Sequence, residues 1–133
     1  ASGEREFTRF DFQSLFEHRA VDIAQPDVAR AGGYTEIRRI AAMASAQGLR
    51  VAPHAWSSGV LFAASIHLAM ALPNCHILEV SQGYMPMMYE LFEEPYDIRD
   101  GIVYAPQRPG LGYTLRPDVF ERFRYRPGPE YIY

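Results

Sequence analysis

A chain of 133 residues and 15.1 kDa is one domain's worth of material, with 48% hydrophobic and 22% charged residues, as in an ordinary globular protein. The formal charge of −3 and pI near 5.8, with no Lys or Arg cluster, argue against a nucleic-acid partner or an anionic-membrane surface. All 13 basic residues are arginine, so lysine bases and Schiff-base chemistry are excluded, and the single cysteine, Cys75, excludes an internal disulfide.

No basic-then-apolar leader opens the sequence, and the most apolar run, residues 59–72, is too short for a membrane span and contains His67. The expectation is a soluble, cytoplasmic protein. Residues 1–3 read as a strand end leading to Glu4. Asp11 then reads as the N-cap of a helix whose apolar face is Phe12, Leu15 and Phe16, ending near His18 and Arg19. Residues 21–24 form the next strand and lead to Asp27. Gly32 and Gly33 allow a tight turn, Thr35 is a good N-cap, and Ile37, Ile40, Ala41 and Ala44 mark a buried helix face that stops at Gly48.

Residues 49–52 form a third strand, with Pro53 at its end and His54 beyond. Ser57 or Ser58 caps a helix with Leu61, Ala64, Ile66 and Leu68 in the core, terminated by Pro73. Residues 75–80 read as a fourth strand, carrying Glu79. Beyond Val80 the periodicity is lost. Residues 109–112 form a turn, residues 117–123 a short helix begun by Asp118, and residues 126–133 an extended tail that packs on something. No linker divides the chain. Residues 1–81 form the strand–helix layer, and residues 82–133 belong to the same unit, covering one end of it.

Glu4, Asp27, His54 and Glu79 each follow a strand, at steps of roughly 25 residues, the size of one strand–helix unit of a parallel α/β fold. Four polar groups at the C-terminal ends of parallel strands point into one site. Glu4 is placed either as a hard-cation ligand or as a solvated helix cap. Asp27 and His54 lie on neighbouring strands ~5 Å apart, close enough for the carboxylate to fix the imidazole tautomer and make it a better base. Glu79 faces the same mouth as a second acid, a substrate contact or an arginine's partner. Trp56 and Arg5 either line the pocket or take the plainer roles of core burial and a surface ion pair. His18, His67 and His76 lack a matching carboxylate and read as ordinary structural or surface histidines. Gly110 and Gly112 make no nucleotide fingerprint, and there is no P-loop, no metal-spaced Cys/His cluster and no serine nucleophile elbow.

Together, SGE at residues 2–4, QPD at 25–27, GGYTE at 32–36, APH at 52–54, ILE at 77–79 and PGLG at 109–112 resemble the C-terminal half of the enolase superfamily, mandelate racemase/muconate lactonizing enzyme subgroup. Residues 3–12 are similar to acid-sugar dehydratases, the galactonate dehydratases in particular. The resemblance implies an α/β fold, the C-terminal half of a (β/α)7β TIM-type barrel comprising strands five to eight, with a C-terminal segment packing toward a capping domain. It implies Mg²⁺ as cofactor with Glu4 as a metal ligand, Asp27 and His54 as a dyad, and Glu79 as the acid of the eighth strand. The implied reaction removes the proton α to a carboxylate and expels the β-hydroxyl, giving a 2-keto-3-deoxy acid from a sugar acid. His54 serves as the base or as the acid for the leaving hydroxyl.

The resemblance puts the other two metal carboxylates and the capping domain before residue 1. The chain is therefore expected to be part of a larger, homo-oligomeric protein, inactive in isolation, with two open strand edges. Racemases, epimerases and cycloisomerases of the same superfamily, and a non-catalytic half-barrel, are the alternatives.

Overall fold

The computed structural model describes residues 1–128. Three helices and two short strands alternate first: α1 (Thr8–Glu17), β1 (Ile23–Ala24), α2 (Gly33–Ala46), β2 (Arg50–Val51) and α3 (Gly59–Ala71). A more irregular part follows, with α4 (Pro86–Tyr89), β3 (Ile98–Arg99), β4 (Ile102–Val103) and α5 (Val119–Arg122). β1 and β2 pair in parallel, with Ile23 opposite Arg50 and Ala24 opposite Val51. Ser2 bridges Ala24 on one side and Cys75 bridges Val51 on the other, both in parallel. Four strand segments thus lie side by side in chain order, and parallel neighbours need a crossover between them, which α1, α2 and α3 supply. Among the described residues the arc is open at Ser2 and at Cys75.

Apolar spacing explains the helices. Phe12 and Phe16 of α1 are fully buried against Ile37, Ile40 and Ala44 of α2, and Val51, Leu68 and Leu72 complete this core. The expected faces of α2 and α3 are the buried ones, and Ser58 caps α3 by accepting the Leu61 N–H at 3.3 Å. α1 departs from expectation: it starts at Thr8 with Phe7 as N-cap, not at Asp11. Asp11 instead reaches back from inside the first turn and accepts the Phe7 N–H at 2.8 Å, as a capping-box acid does. This start forces Thr8 to φ +56°, a left-handed conformation costing a β-branched residue on the order of 1–3 kcal/mol. The expected end near His18 and Arg19 holds. Arg19, at φ +50°, donates to Phe16 O at 3.0 Å while Ala20 N–H reaches Leu15 O at 2.9 Å, the double bond of a Schellman ending. Thr35 is not an N-cap either. Gly32 at φ +106° and Gly33 at φ +78° already reverse the chain, so α2 begins two residues before it, at Gly33.

The expected fourth strand over residues 75–80 is reduced to the single bridge at Cys75. Its neighbour β2 runs into Pro53, which has no N–H to continue a ladder. The segment after Val80 is more ordered than its lost periodicity suggests. β3 and β4 form an antiparallel hairpin around Asp100 and Gly101, both at positive φ (+52° and +76°), the requirement of a type I′ turn. Phe62 and Ile66 of α3 pack with Met88, and the Tyr96 hydroxyl donates to Met88 O at 2.9 Å and Gly59 O at 3.2 Å, tying the later segment to α3. The expected turn at residues 109–112 closes with a 3.2 Å bond from Gly112 N–H to Pro109 O, and α5 starts after Asp118, whose side chain makes no capping bond. Of the expected extended tail, residues 126–128 are exposed and residues 129–133 lie outside the described residues. Among the described residues, no helix is long and apolar enough to cross a membrane.

Candidate functional site

Beyond β1 and β2 the two segments stay in register, and Asp27 and His54 form a further parallel bridge in which His54 N–H donates to Pro26 O at 3.2 Å. Their side chains therefore leave neighbouring strand ends side by side, and His54 Nδ1 meets Asp27 Oδ2 at 2.9 Å. Asp27 is only 7% exposed, and its other oxygen accepts the N–H groups of Ala29 at 2.8 Å and Arg30 at 3.1 Å. That turn holds the carboxylate still, so Nδ1 donates to Asp27 and Nε2 is the nitrogen left free for chemistry. The hydrogen bond that His54 donates to Asp27 raises the His54 pKa above the ordinary imidazole value. Burial opposes the shift, while the charges of Asp27, Glu79 and Glu4 add to it.

The dyad opens on a cleft of about 850 Å³ lined by Glu4, Arg5, Asp27, Arg30, His54 and Trp56. Glu4 is half-buried and accepts the Gly3 N–H at 3.1 Å. Its own backbone N–H, helped by that of Gly3 and by the charges of His54 and Arg5, holds its carboxyl below the usual range against the opposing effect of burial. Gly3 is required just before it: at φ +125°, a Cβ here would sit 2.8 Å from the buried Phe12 ring. Trp56 is 52% exposed, with its ring centroid 6.2 Å from that of His54, so it walls the cleft and is not part of the core. Arg5 makes no ion pair among the described residues.

Glu79 is not on the wall of this cleft. It lies close enough to His54 for its charge to favour the imidazolium, and its Oε2 is buried without a hydrogen-bond partner among the described residues. The remaining histidines take plain roles. His18 Nδ1 lies 2.8 Å from Ser14 O, His67 Nε2 lies 3.1 Å from Leu111 O, and His76 is exposed. Cys75 lines a separate apolar groove beside β3 and β4, and burial pushes its thiol pKa up, away from reactivity.

Sequence reasoning passed over Arg30 and Phe7. The guanidinium of Arg30 sits 5.4 Å from the Phe7 ring centroid over the cleft and has no ion-pair partner among the described residues. The signal was its place three residues after Asp27: the turn closed by Asp27 Oδ1 folds the intervening backbone back toward the mouth. A metal ion is a different matter. Glu4 is a hard oxygen donor, but among the described residues no three His, Cys, Asp or Glu side chains converge to hold an ion. The donors fit one ligand of a Mg²⁺ site and do not complete it.

Residues 1–119 match the family described as enolase C-terminal domain-like. An arabinonate dehydratase from Saccharolobus solfataricus is 36% identical over 124 residues, which cover 93% of this chain and 33% of that protein. A D-galactarolactone cycloisomerase from Agrobacterium fabrum is 33% identical over 132 residues, covering 93% of this chain and 35% of that protein. A solved structure of an enolase of the mandelate racemase subgroup, from Agrobacterium tumefaciens, superposes with a TM-score of 0.80 at 31% identity, over 91% of this chain and 32% of that one. The chain spans about a third of the length of the relatives it matches. With strand segments in sequential parallel order and a match running over most of its length, the chain belongs to the enolase C-terminal domain-like family.

Proposed function

We propose that the protein carrying this chain is a Mg²⁺-dependent dehydratase of a sugar acid, and that this chain supplies strands five to eight of its (β/α)7β barrel. Residues 1–81 would be that half of the barrel, with residues 82–133 finishing its end and contacting a capping domain. One observation carries the reading: a buried, doubly anchored Asp27 aligns His54 Nδ1 at 2.9 Å beside Glu4, at the ends of adjacent parallel strands. The family match and the relatives named as dehydratases support it.

Under this reading, His54 Nε2 holds or takes a proton at the substrate. In one direction it abstracts the proton α to the carboxylate, and the C–H electron pair enters the enediolate. Alternatively, a base from outside these residues takes the α proton and His54 protonates the β-hydroxyl as the C–O bond breaks and water leaves. Either way the resulting enol becomes a 2-keto-3-deoxy acid. Asp27 keeps the tautomer and stabilises the imidazolium. Glu79 is the further acid beside His54. Arg5 and Arg30 attract the anionic substrate, and Trp56 shields it from water. Mg²⁺, when bound, supplies the positive charge that makes an enediolate affordable. Glu4 would be one of its ligands, and the others would come from outside these residues.

The test is a panel of sugar acids incubated with the intact protein and Mg²⁺, with keto-acid product and incorporation of solvent deuterium as readouts. Keto acid formed from one of them supports the dehydratase. An inverted α-centre without loss of water supports the second reading as a racemase, and isomerisation of a sugar lactone added to the panel, again without loss of water, supports it as a cycloisomerase, which the A. fabrum relative favours. Arg30→Gln should raise KM about tenfold or more, because a charged hydrogen bond to a carboxylate is worth roughly 1.5–3 kcal/mol. An unchanged KM would remove Arg30 from substrate binding.

A further inference from the structure

The residues that line the cleft arrive on three loops, residues 4–7 before α1, residues 27–30 before α2 and residues 54–57 before α3. One buried side chain outside the cleft ties the first of these to α2. Glu36, in the first turn of α2, is 8% exposed and holds the start of α1 with both oxygens. Oε1 accepts Arg9 N–H at 3.0 Å and Arg9 Nη1 at 2.7 Å, while Oε2 accepts Arg9 Nη1 at 2.8 Å and Arg39 Nη1 at 2.9 Å. The Arg9 N–H is one of the donors a helix start leaves without an internal partner. It immediately follows Thr8, the β-branched residue held at φ +56°, and on the other side of Thr8 the Phe7 N–H is held by Asp11. The strained turn is therefore gripped from both sides by carboxylates, one on its own helix and one from α2. Gly32 makes room for the second: a Cβ there would lie 3.1 Å from Glu36 Cβ.

We infer that Glu36 is a positioning residue whose grip on Arg9 holds the Thr8 turn in its left-handed form and so sets the loop bearing Glu4, Arg5 and Phe7 against the Asp27–His54 pair. A surface ion pair would contribute little beyond charge. This one ends in a backbone N–H beside a strained residue, so its loss releases a conformation. Without Glu36, Thr8 relaxes to negative φ, and the chain direction entering the cleft changes four residues from Glu4. Arg39 braces the carboxylate from α2 itself, and Arg9 returns the charge from α1.

The metal readout rests on the proposed role of Glu4, so the experiment has two arms. The first is amide hydrogen exchange of Arg9 in metal-free protein, which is independent of that role. The second is the Mn²⁺ dissociation constant of the intact protein, by paramagnetic titration with Mn²⁺ in place of Mg²⁺. In Glu36→Ala, Arg9 exchange should accelerate at least about tenfold, and the Mn²⁺ dissociation constant should rise about tenfold, as when a residue orienting a ligand is lost. Adding Thr8→Gly should return the metal affinity most of the way, because glycine takes a positive φ without the grip. Glu36→Gln keeps an acceptor for Arg9 N–H and should fall between, and it carries the test if Glu36→Ala does not fold. The inference is overturned if the variants lose melting temperature while Arg9 exchange and Mn²⁺ affinity stay at wild-type values, or if Thr8→Gly restores nothing. Should Glu4→Gln leave Mn²⁺ affinity unchanged, the reading of Glu4 falls, and Arg9 exchange still decides the role of Glu36.

Discussion

In the proposed reaction His54 carries the proton, and the charges of Asp27, Glu79 and Glu4 favour its protonated form. His54→Asn should reduce turnover of the intact protein by about 10²–10⁴-fold, the usual worth of a positioned acid or base, with an unchanged circular dichroism spectrum. Normal turnover would take His54 out of the mechanism. Asp27→Asn should cost less, since the imidazole remains and only its tautomer and basicity suffer. The same pair gives stability a pH dependence. The folded His54 pKa is raised above its unfolded value, so its contribution is fully present below the ordinary imidazole value near ~6.5 and is lost as pH rises through the folded pKa. In metal-free buffer, the difference in urea midpoint between wild type and His54→Asn should therefore be largest in mild acid and shrink toward alkaline pH. A pH-independent difference would mean that the ion pair is not what stabilises the pair. At this scale Asp27 and His54 were legible, because a polar residue directly after an apolar run needs no tertiary knowledge to be placed at a strand end. Arg30 was not, since an arginine on a loop is ordinarily solvated and only the Asx turn brings it over the cleft.

Elements carry these groups by their ends, and the ends are where reading the sequence went astray. The apolar faces of α1, α2 and α3 followed from spacing alone, because burial selects every third or fourth residue irrespective of partners. The start of α1 did not follow. Asp11 satisfies the rule for an N-cap, yet the helix starts at Thr8, where Glu36, 27 residues beyond Arg9, accepts the Arg9 N–H. The hairpin of β3 and β4 was missed although Asp100-Gly101 between Ile and Val residues is its usual signature. Each strand there is only two residues long, too short for alternation to register. The turn at Gly3 has little freedom. Gly3→Ala combines a positive φ with a contact 2.8 Å from a fully buried ring, and should destabilise by about 2–4 kcal/mol. A melting temperature within a degree of wild type would show that the Phe12 ring yields more easily than its burial implies.

At the scale of the whole molecule, the described residues present an arc whose outer segments, at Ser2 and at Cys75, have backbone groups without strand partners among these residues. Open parallel edges associate. Purified as these 133 residues alone, the chain should show a mass by light scattering that rises with concentration, whereas a constant 15.1 kDa monomer would mean that the edges are shielded. Apolar clusters built on Phe62, Met88, Leu91 and Phe92, with Tyr96 between them, pack α4 and α5 with α3.

Taken by itself, the sequence determined the strand–helix repeat of the first half, the faces that are buried, Asp27 and His54 at strand ends and the family, because periodicity and short ordered motifs are local properties of a chain. Tertiary structure alone decided which of those residues meet. It brought His54 to 2.9 Å from Asp27, opened Trp56 and Arg30 onto one cleft, cut the fourth strand to a single bridge, and let a glutamate of α2 set the first turn of α1. Each of these depends on groups distant in the chain satisfying one another's hydrogen bonds and charges, and no local pattern encodes which distant partner will arrive.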